Sequence, residues 1–307
     1  MGRFVVRRLL LTIPVLLGAS FLIFAMVYAL PGDPVRALAG DRPLAPAVVA
    51  QLREDFNLND PLIVQYAKYL GGLAHFDLGV DFSNRPVLDT ISQRLPVTIK
   101  LTVVAVLFET IIGLAAGVLA GIRRNSFFDN LVLVSTTLII SIPILVLGFV
   151  SQYVFGLKFG WFPIAGINDG WYSYLLPGLV LASSSLAYVA RLTRTSIAEN
   201  MRADYVRTAR AKGLPNRTVI LRHTLRNSLI PVVTFIGADV GALLGGAIVT
   251  EAVFNIPGIG RAVFEAVGQQ EGAVVVGIVT LMVFFFIFFN LIVDVLYAVL
   301  DPRIRYD

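Results

Sequence analysis

The sequence predicts an all-α polytopic membrane protein: six transmembrane helices, a small domain outside the membrane after the first, and one polar, helix-forming loop between the fourth and fifth. Three observations carry that expectation. The 307 residues are 57% hydrophobic and 15% charged, with a mean hydropathy of +0.79; a soluble chain of this size needs far more charge to cover its surface. Apolar runs near the roughly 20 residues that a bilayer requires recur along the chain. Between two of them, residues 191–231 carry nine Arg and Lys against only Glu199 and Asp204, the mark of a cytoplasmic loop.

Residues 1–30 are the N-terminal tail and first span. Arg3, Arg7 and Arg8 precede Leu9–Leu30, an uncharged run of 22 residues. A cleavable signal peptide has an apolar core of roughly 7–15 residues, so the span is expected to be retained. Residues 31–96 form an extracytoplasmic region, polar and punctuated by proline. Leu30–Pro34 and Asn59–Leu62 are turn chemistry, and an amphipathic helix is expected between Pro61 and Leu73. Residues 97–307 are a five-helix core, with spans at Val97–Gly121, Leu131–Gly156, Tyr174–Ala190, Leu229–Thr250 and Val274–Leu300 and a loop at 191–228. Six spans put both termini on one side. That side carries sixteen Lys and Arg and the other eight, with Lys100 in a span mouth, so both termini are expected to be cytoplasmic. Leu114, Gly117 and Gly121, and Gly241, Gly245 and Gly246, mix small residues into spans and allow helices to approach closely.

The loop reads as two short helices at the membrane surface. Asp204 caps the first and suits its dipole. Arg210 and Lys212 fall in its last turn, Gly213 is placed to end it in a left-handed conformation, and Pro215 blocks continuation. Tyr205, Thr208, Ala209 and Lys212 share a face at helical spacing. Asn216 is placed to cap a second helix over residues 217–227, and Pro231 fits the first turn of the next span.

The run Asp204-Tyr205-Val206-Arg207-Thr208-Ala209-Arg210-Ala211-Lys212-Gly213-Leu214 resembles the Glu-Ala-Ala loop of binding-protein-dependent ABC importer permeases, in the form of their peptide and nickel branch. Arg207 stands where the general motif has Glu and Thr208 where it has its first Ala; Ala209 matches. In that family the loop is the coupling helix that docks on the ATPase subunit. The resemblance therefore implies this role for Asp204, Tyr205, Arg207, Thr208, Ala209, Arg210, Lys212 and Gly213. A second stretch, Glu251 to Gly260, is similar to the family's Glu-x-x-Phe-x-x-Pro-Gly-x-Gly. It implies an outer gate loop of Glu251, Phe254, Pro257, Gly258 and Gly260 that turns back into the outer membrane face. Pro257-Gly258-Ile259-Gly260 breaks a helix and allows such a turn. Glu271-Gly272-Ala273 departs from the family's acidic-x-Pro. Leu30–Pro34, Asp60-Pro61-Leu62 with Gln65-Tyr66, Asp77-Leu78-Gly79 and the end at Leu296–Arg303 also resemble the family, except that Phe76 replaces a usual glycine.

The resemblance implies a permease subunit in the plasma (inner) membrane that moves dipeptides or oligopeptides inward by alternating access. Nickel complexes, haem and glutathione are the alternative cargoes. The implied partners are a homologous second permease subunit, two ATPase domains holding ATP and Mg, an extracytoplasmic substrate-binding protein and the lipid bilayer. The net charge of +5 is read as topology-setting, with no nucleic acid involved.

No P-loop, His-Glu-x-x-His or Gly-x-Ser-x-Gly occurs in the sequence, so this chain is not expected to be an enzyme, and ATP hydrolysis falls to its partners. There is no cysteine, hence no thiolate site. His75 and His223 are expected on opposite sides of the membrane, so no metal or cofactor is expected in this chain. Glu109, Asp239 and Asp294 fall within spans, where acids are costly and face the bundle interior or a cavity. Asp294, near the inner surface, is expected to pair locally. Glu109 and Asp239 either line the translocation path or pair with backbone or hydroxyl groups. Thr234 and Asp239, with Gly237 and Gly241, are expected along the central cavity. A proton-coupled carrier using Glu109 and Asp239 would call for inverted repeats and broken helices, and the sequence displays neither.

Overall fold

The computed structural model describes residues 2–28, 45–55 and 57–300. The side chains of Arg3, Arg7 and Asp294, the Leu30–Pro34 turn and the Asp301–Arg303 end lie outside the described residues. Among the described residues the regular structure is helical apart from one antiparallel bridge, Val80 to Pro86. In order it forms α1 (Gly2–Tyr28), α2 (Pro46–Asp55), α3 (Leu62–Ala74), α4 (Val87–Ile122), α5 (Phe127–Ser141), α6 (Ile144–Lys158), α7 (Gly170–Asn200), α8 (Asp204–Ala211), α9 (Asn216–Val253), α10 (Ile259–Gln269) and α11 (Gly272–Leu300). Among these, α1, α4, α7, α9 and α11 are long and apolar enough to cross a membrane. The α5–α6 pair supplies a sixth crossing only if counted as one bent span. The expected α3 lies where the sequence placed it.

Three boundaries depart from expectation. The third span, expected unbroken over Leu131–Gly156, is bent by 103° between α5 and α6. Pro143 causes the break: a proline drives the residue before it out of the helical region, and Ile142 is extended at ψ 123°. At the other end Ser126 caps α5, its Oγ accepting from the Asp129 N–H at 3.4 Å. The second span starts at Val87 instead of Val97. Residues 87–96 look polar, but Val87 and Ile91 are buried and partly buried Leu95 packs with them against α10 and α11, an amphipathic extension at helical spacing. The two separate helices expected after Gly213 are one: α9 is continuous from Asn216 to Val253, with Pro231 inside it. A π-helical stretch at Val219–Leu225 widens the helix there.

The caps expected of Asp204 and Asn216 are not made. Each is instead the first helical residue, preceded by Ala203 and Pro215 in extended backbone. The Asp204 carboxylate is almost fully exposed, 3.6 Å from Arg207, and still favours the helix dipole.

Glycine brings the long helices together. A Cβ on Gly121 of α4 would stand 2.9 Å from Ile197 Cβ of α7, and one on Gly241 of α9 would stand 2.9 Å from Phe286 Cα of α11. Val27 and Tyr28 at the end of α1 pack on Gly272 at the start of α11. Helices α1 and α9 therefore run toward one pole of the bundle, which carries α10, and α4, α7 and α11 run back toward the other, which carries α8. Gly2 and Leu300 both lie at the α8 pole.

Candidate functional site: coupling helix, path and outer gate

At the α8 pole, Val206 and Ala209 of α8 are buried against Val219 of α9. This corrects the expectation that Ala209 presents itself to a partner with Tyr205 and Thr208: Ala209 anchors α8 to its own chain. Asp204, Tyr205, Arg207, Thr208, Arg210, Lys212 and Gly213 are exposed. The Tyr205 hydroxyl donates to Asn200 Oδ1, and Thr208 Oγ1 donates to the Asp204 carbonyl at 2.9 Å. Gly213 has φ +78°, and the Leu214 and Gly213 N–H groups close back on the Ala209 and Arg210 carbonyls at 3.3 and 2.9 Å. That pair of bonds is a Schellman cap, the ending that glycine there foretells.

In the middle of the bundle, Glu109 and Asp239 are brought together. Glu109 is fully buried in a π-helical turn of α4, Glu109–Gly113. Neither of its carboxylate oxygens, nor Asp239 Oδ2, has a hydrogen-bond partner among the described residues. On the side where a Cβ would stand, Gly237 and Gly241 face Val293 and Phe286 of α11. Thr234 is half-buried and donates to the Ile230 carbonyl of its own helix. A polar face unanticipated in the sequence lies on α7. Ser184, Tyr188, Arg191, Thr195 and Glu199 fall at helical spacing, all exposed except half-buried Arg191, which donates to Thr136 and Thr137 of α5. The Tyr188 ring packs on Phe235 of α9 at 4.3 Å. The signal was present as the 4-3-4-4 spacing of polar residues in a spanning segment.

At the α10 pole the Glu251–Gly260 stretch ends α9, turns through Phe254–Gly258 and starts α10. Glu251 and Phe254 are buried and Pro257 half-buried. Glu251 accepts from Thr98 Oγ1 of α4 at 2.5 Å and from the Arg261 N–H at 2.9 Å. Gly258 has extended backbone, φ −95°; its missing Cβ matters because one would land on the Glu251 carboxylate. Beside it, Glu265 meets Arg94 Nη1 at 3.1 Å and Arg261 Nε at 2.7 Å. Burial pushes the Glu265 carboxyl up, but the two guanidiniums outweigh it and hold it below its ordinary range. His75 and His223 lie at opposite poles, and no group of metal-ligating side chains occurs among the described residues.

The class is an all-α polytopic membrane protein, with an exposed basic helix at one pole and a buried carboxylate beside the turn at the other. Residues 113–306 match the family described as "Binding-protein-dependent transport system inner membrane component", and residues 1–102 match its N-terminal companion. The chain belongs to this family and is an ABC importer permease. It is 42% identical to the glutathione transport system permease protein GsiC of Escherichia coli, with all of both chains covered. It is 38% identical to the dipeptide transport system permease protein DppB of Alkalihalophilus pseudofirmus, with 99% of each covered. Family membership sets aside the proton-coupled carrier.

Proposed function

We propose that this permease admits short peptides, driven by ATP hydrolysed, with Mg, on two partner ATPase domains. A homologous second permease completes the path, and an extracytoplasmic binding protein delivers the substrate to the α10 pole. The α8 pole and both termini are cytoplasmic, and the chain itself performs no catalysis. Glutathione is a modified tripeptide, so the names of the two relatives converge on this substrate class.

One observation carries the reading: α8 is seated on α9 by Val206 and Ala209, which leaves Tyr205, Arg207, Thr208 and Lys212 free to meet a partner. A push on α8 then passes directly into a 38-residue spanning helix. ATP shifts the permease only if its two conformations contact the ATP-bound ATPase differently, and this exposed face is where that difference is felt. In a reconstituted transporter, Thr208→Trp is expected to abolish substrate-stimulated ATP hydrolysis and uptake while membrane insertion stays normal; Arg217→Gln changes little. Full stimulation in Thr208→Trp would remove α8 from the coupling role. Mass spectrometry of the ligand bound to the purified binding protein identifies the peptide.

A further inference from the structure

Thr98 lies in an expected span and in none of the stretches that carry the family resemblance, yet it stands at the centre of the α10 seat. It is fully buried and 153 residues from Glu251. Its hydroxyl donates to Glu251 Oε1 at 2.5 Å and accepts from the Ile259 N–H at 2.9 Å, while Glu251 Oε2 accepts from the Arg261 N–H at 2.9 Å. Two free N–H groups at the start of α10 are thus satisfied by side chains from α4 and α9. One turn away on α4, Arg94 pairs with Glu265 of α10. There is no slack in the turn: a Cβ on Gly260 would lie 2.6 Å from Ile248 Cα.

We propose that Thr98 is a positioning residue for transport: through Glu251 it ties α10 to α4, so that the outer gate moves with α4 as one body instead of hinging at Pro257-Gly258. This rests on the reading of Glu251–Gly260 as the gate of an importer. A hinge at the loop would break the Ile259–Thr98 and Arg261–Glu251 bonds together and leave two backbone N–H groups at the start of α10 without partners, which is costly. Motion at the gate is therefore relayed along α4 and α9, both of which reach the α8 pole.

The chain has no cysteine, so spin labels at Leu88→Cys of α4 and Phe264→Cys of α10, both exposed positions, report the separation in the assembled transporter. One narrow distance is expected, the same without nucleotide and after trapping with ATP and vanadate. Thr98→Val broadens it and lowers uptake per assembled complex about tenfold, while Thr98→Ser, which keeps the hydroxyl, stays within about twofold of the parent. A distance that shifts between the two states in the parent overturns the proposal. So does a Thr98→Val transporter with parental distance and uptake. If Thr98→Val does not assemble, the parental distances and Thr98→Ser still decide. Failure of the importer reading looks different: the parent then takes up no peptide on ATP addition, whatever the labels report.

Discussion

Five of the described helices end in the same way, with a left-handed residue and paired bonds back to the last turn: α2 at Asn57 (φ 54°), α3 at Phe76 (φ 60°), α8 at Gly213 (φ 78°), α9 at Asn255 (φ 53°) and α10 at Gln270 (φ 56°). Gly213 takes that conformation without strain. Phe76 stands where the resembling pattern has a glycine, and it is largely exposed, so its ring offers little packing in return. Phe76→Gly is therefore expected to stabilise the protein by about 0.5–1 kcal/mol, the left-handed strain relieved less the entropy of glycine. Gly213→Ala has open space for its Cβ and is expected to cost about 1 kcal/mol from backbone strain alone. Thermal unfolding in detergent measures both, and destabilisation by Phe76→Gly would show that the ring has a role its exposure conceals. The need for glycine at 213 was legible from the ending Lys212-Gly213-Leu214-Pro215. The need for glycine at 258 was misread as turn flexibility, because the obstacle is the Glu251 side chain folded back over seven residues.

At the scale of elements, the long apolar helices were legible because hydropathy alone defines them. What escaped was set by contacts distant in sequence. The first turns of α4 look polar until α10 and α11 bury Val87 and Ile91, and the inward side of α8 becomes clear only once Val219 lies under Ala209. The seat of α10 likewise depends on charges brought from α4. Glu265 carries a lowered pKa because Arg94 and Arg261 outweigh burial. A carboxylate with a depressed folded pKa contributes stability that is present above its unfolded value, about 4.3, and lost as pH falls through the folded value. Amide exchange in α10 is accordingly expected to accelerate below about pH 4. Glu265→Gln should remove that pH response and leave a uniformly faster exchange; an unchanged response would place the titrating group elsewhere. The pair is about a third exposed, so solvent keeps the effect small.

For the whole molecule, the exposed surface of the spans divides into two kinds. On α5 and α6 it is apolar at Leu131, Val134, Leu138, Leu145, Val146 and Phe149, while the exposed hydroxyls of Thr137 and Ser141 donate to carbonyls of their own helix. That is a surface lipid can cover without leaving a polar group unpaired. The α7 face of Ser184, Tyr188, Thr195 and Glu199 differs: a polar row on a spanning helix belongs against water or protein. In the interior of the bundle, fully buried Glu109 meets half-buried Asp239. The exposed polar row of the spans thus lies on α7, with Phe235 of α9 at its side. Because the chain lacks cysteine, single replacements report this division cleanly. In the assembled transporter, Ser184→Cys and Thr195→Cys are expected to react with a water-soluble thiol reagent, at rates that change when ATP and vanadate trap the complex. Leu138→Cys and Val146→Cys are expected to stay unreactive in both states. Reactivity at Leu138 with none at Ser184 would exchange the two faces.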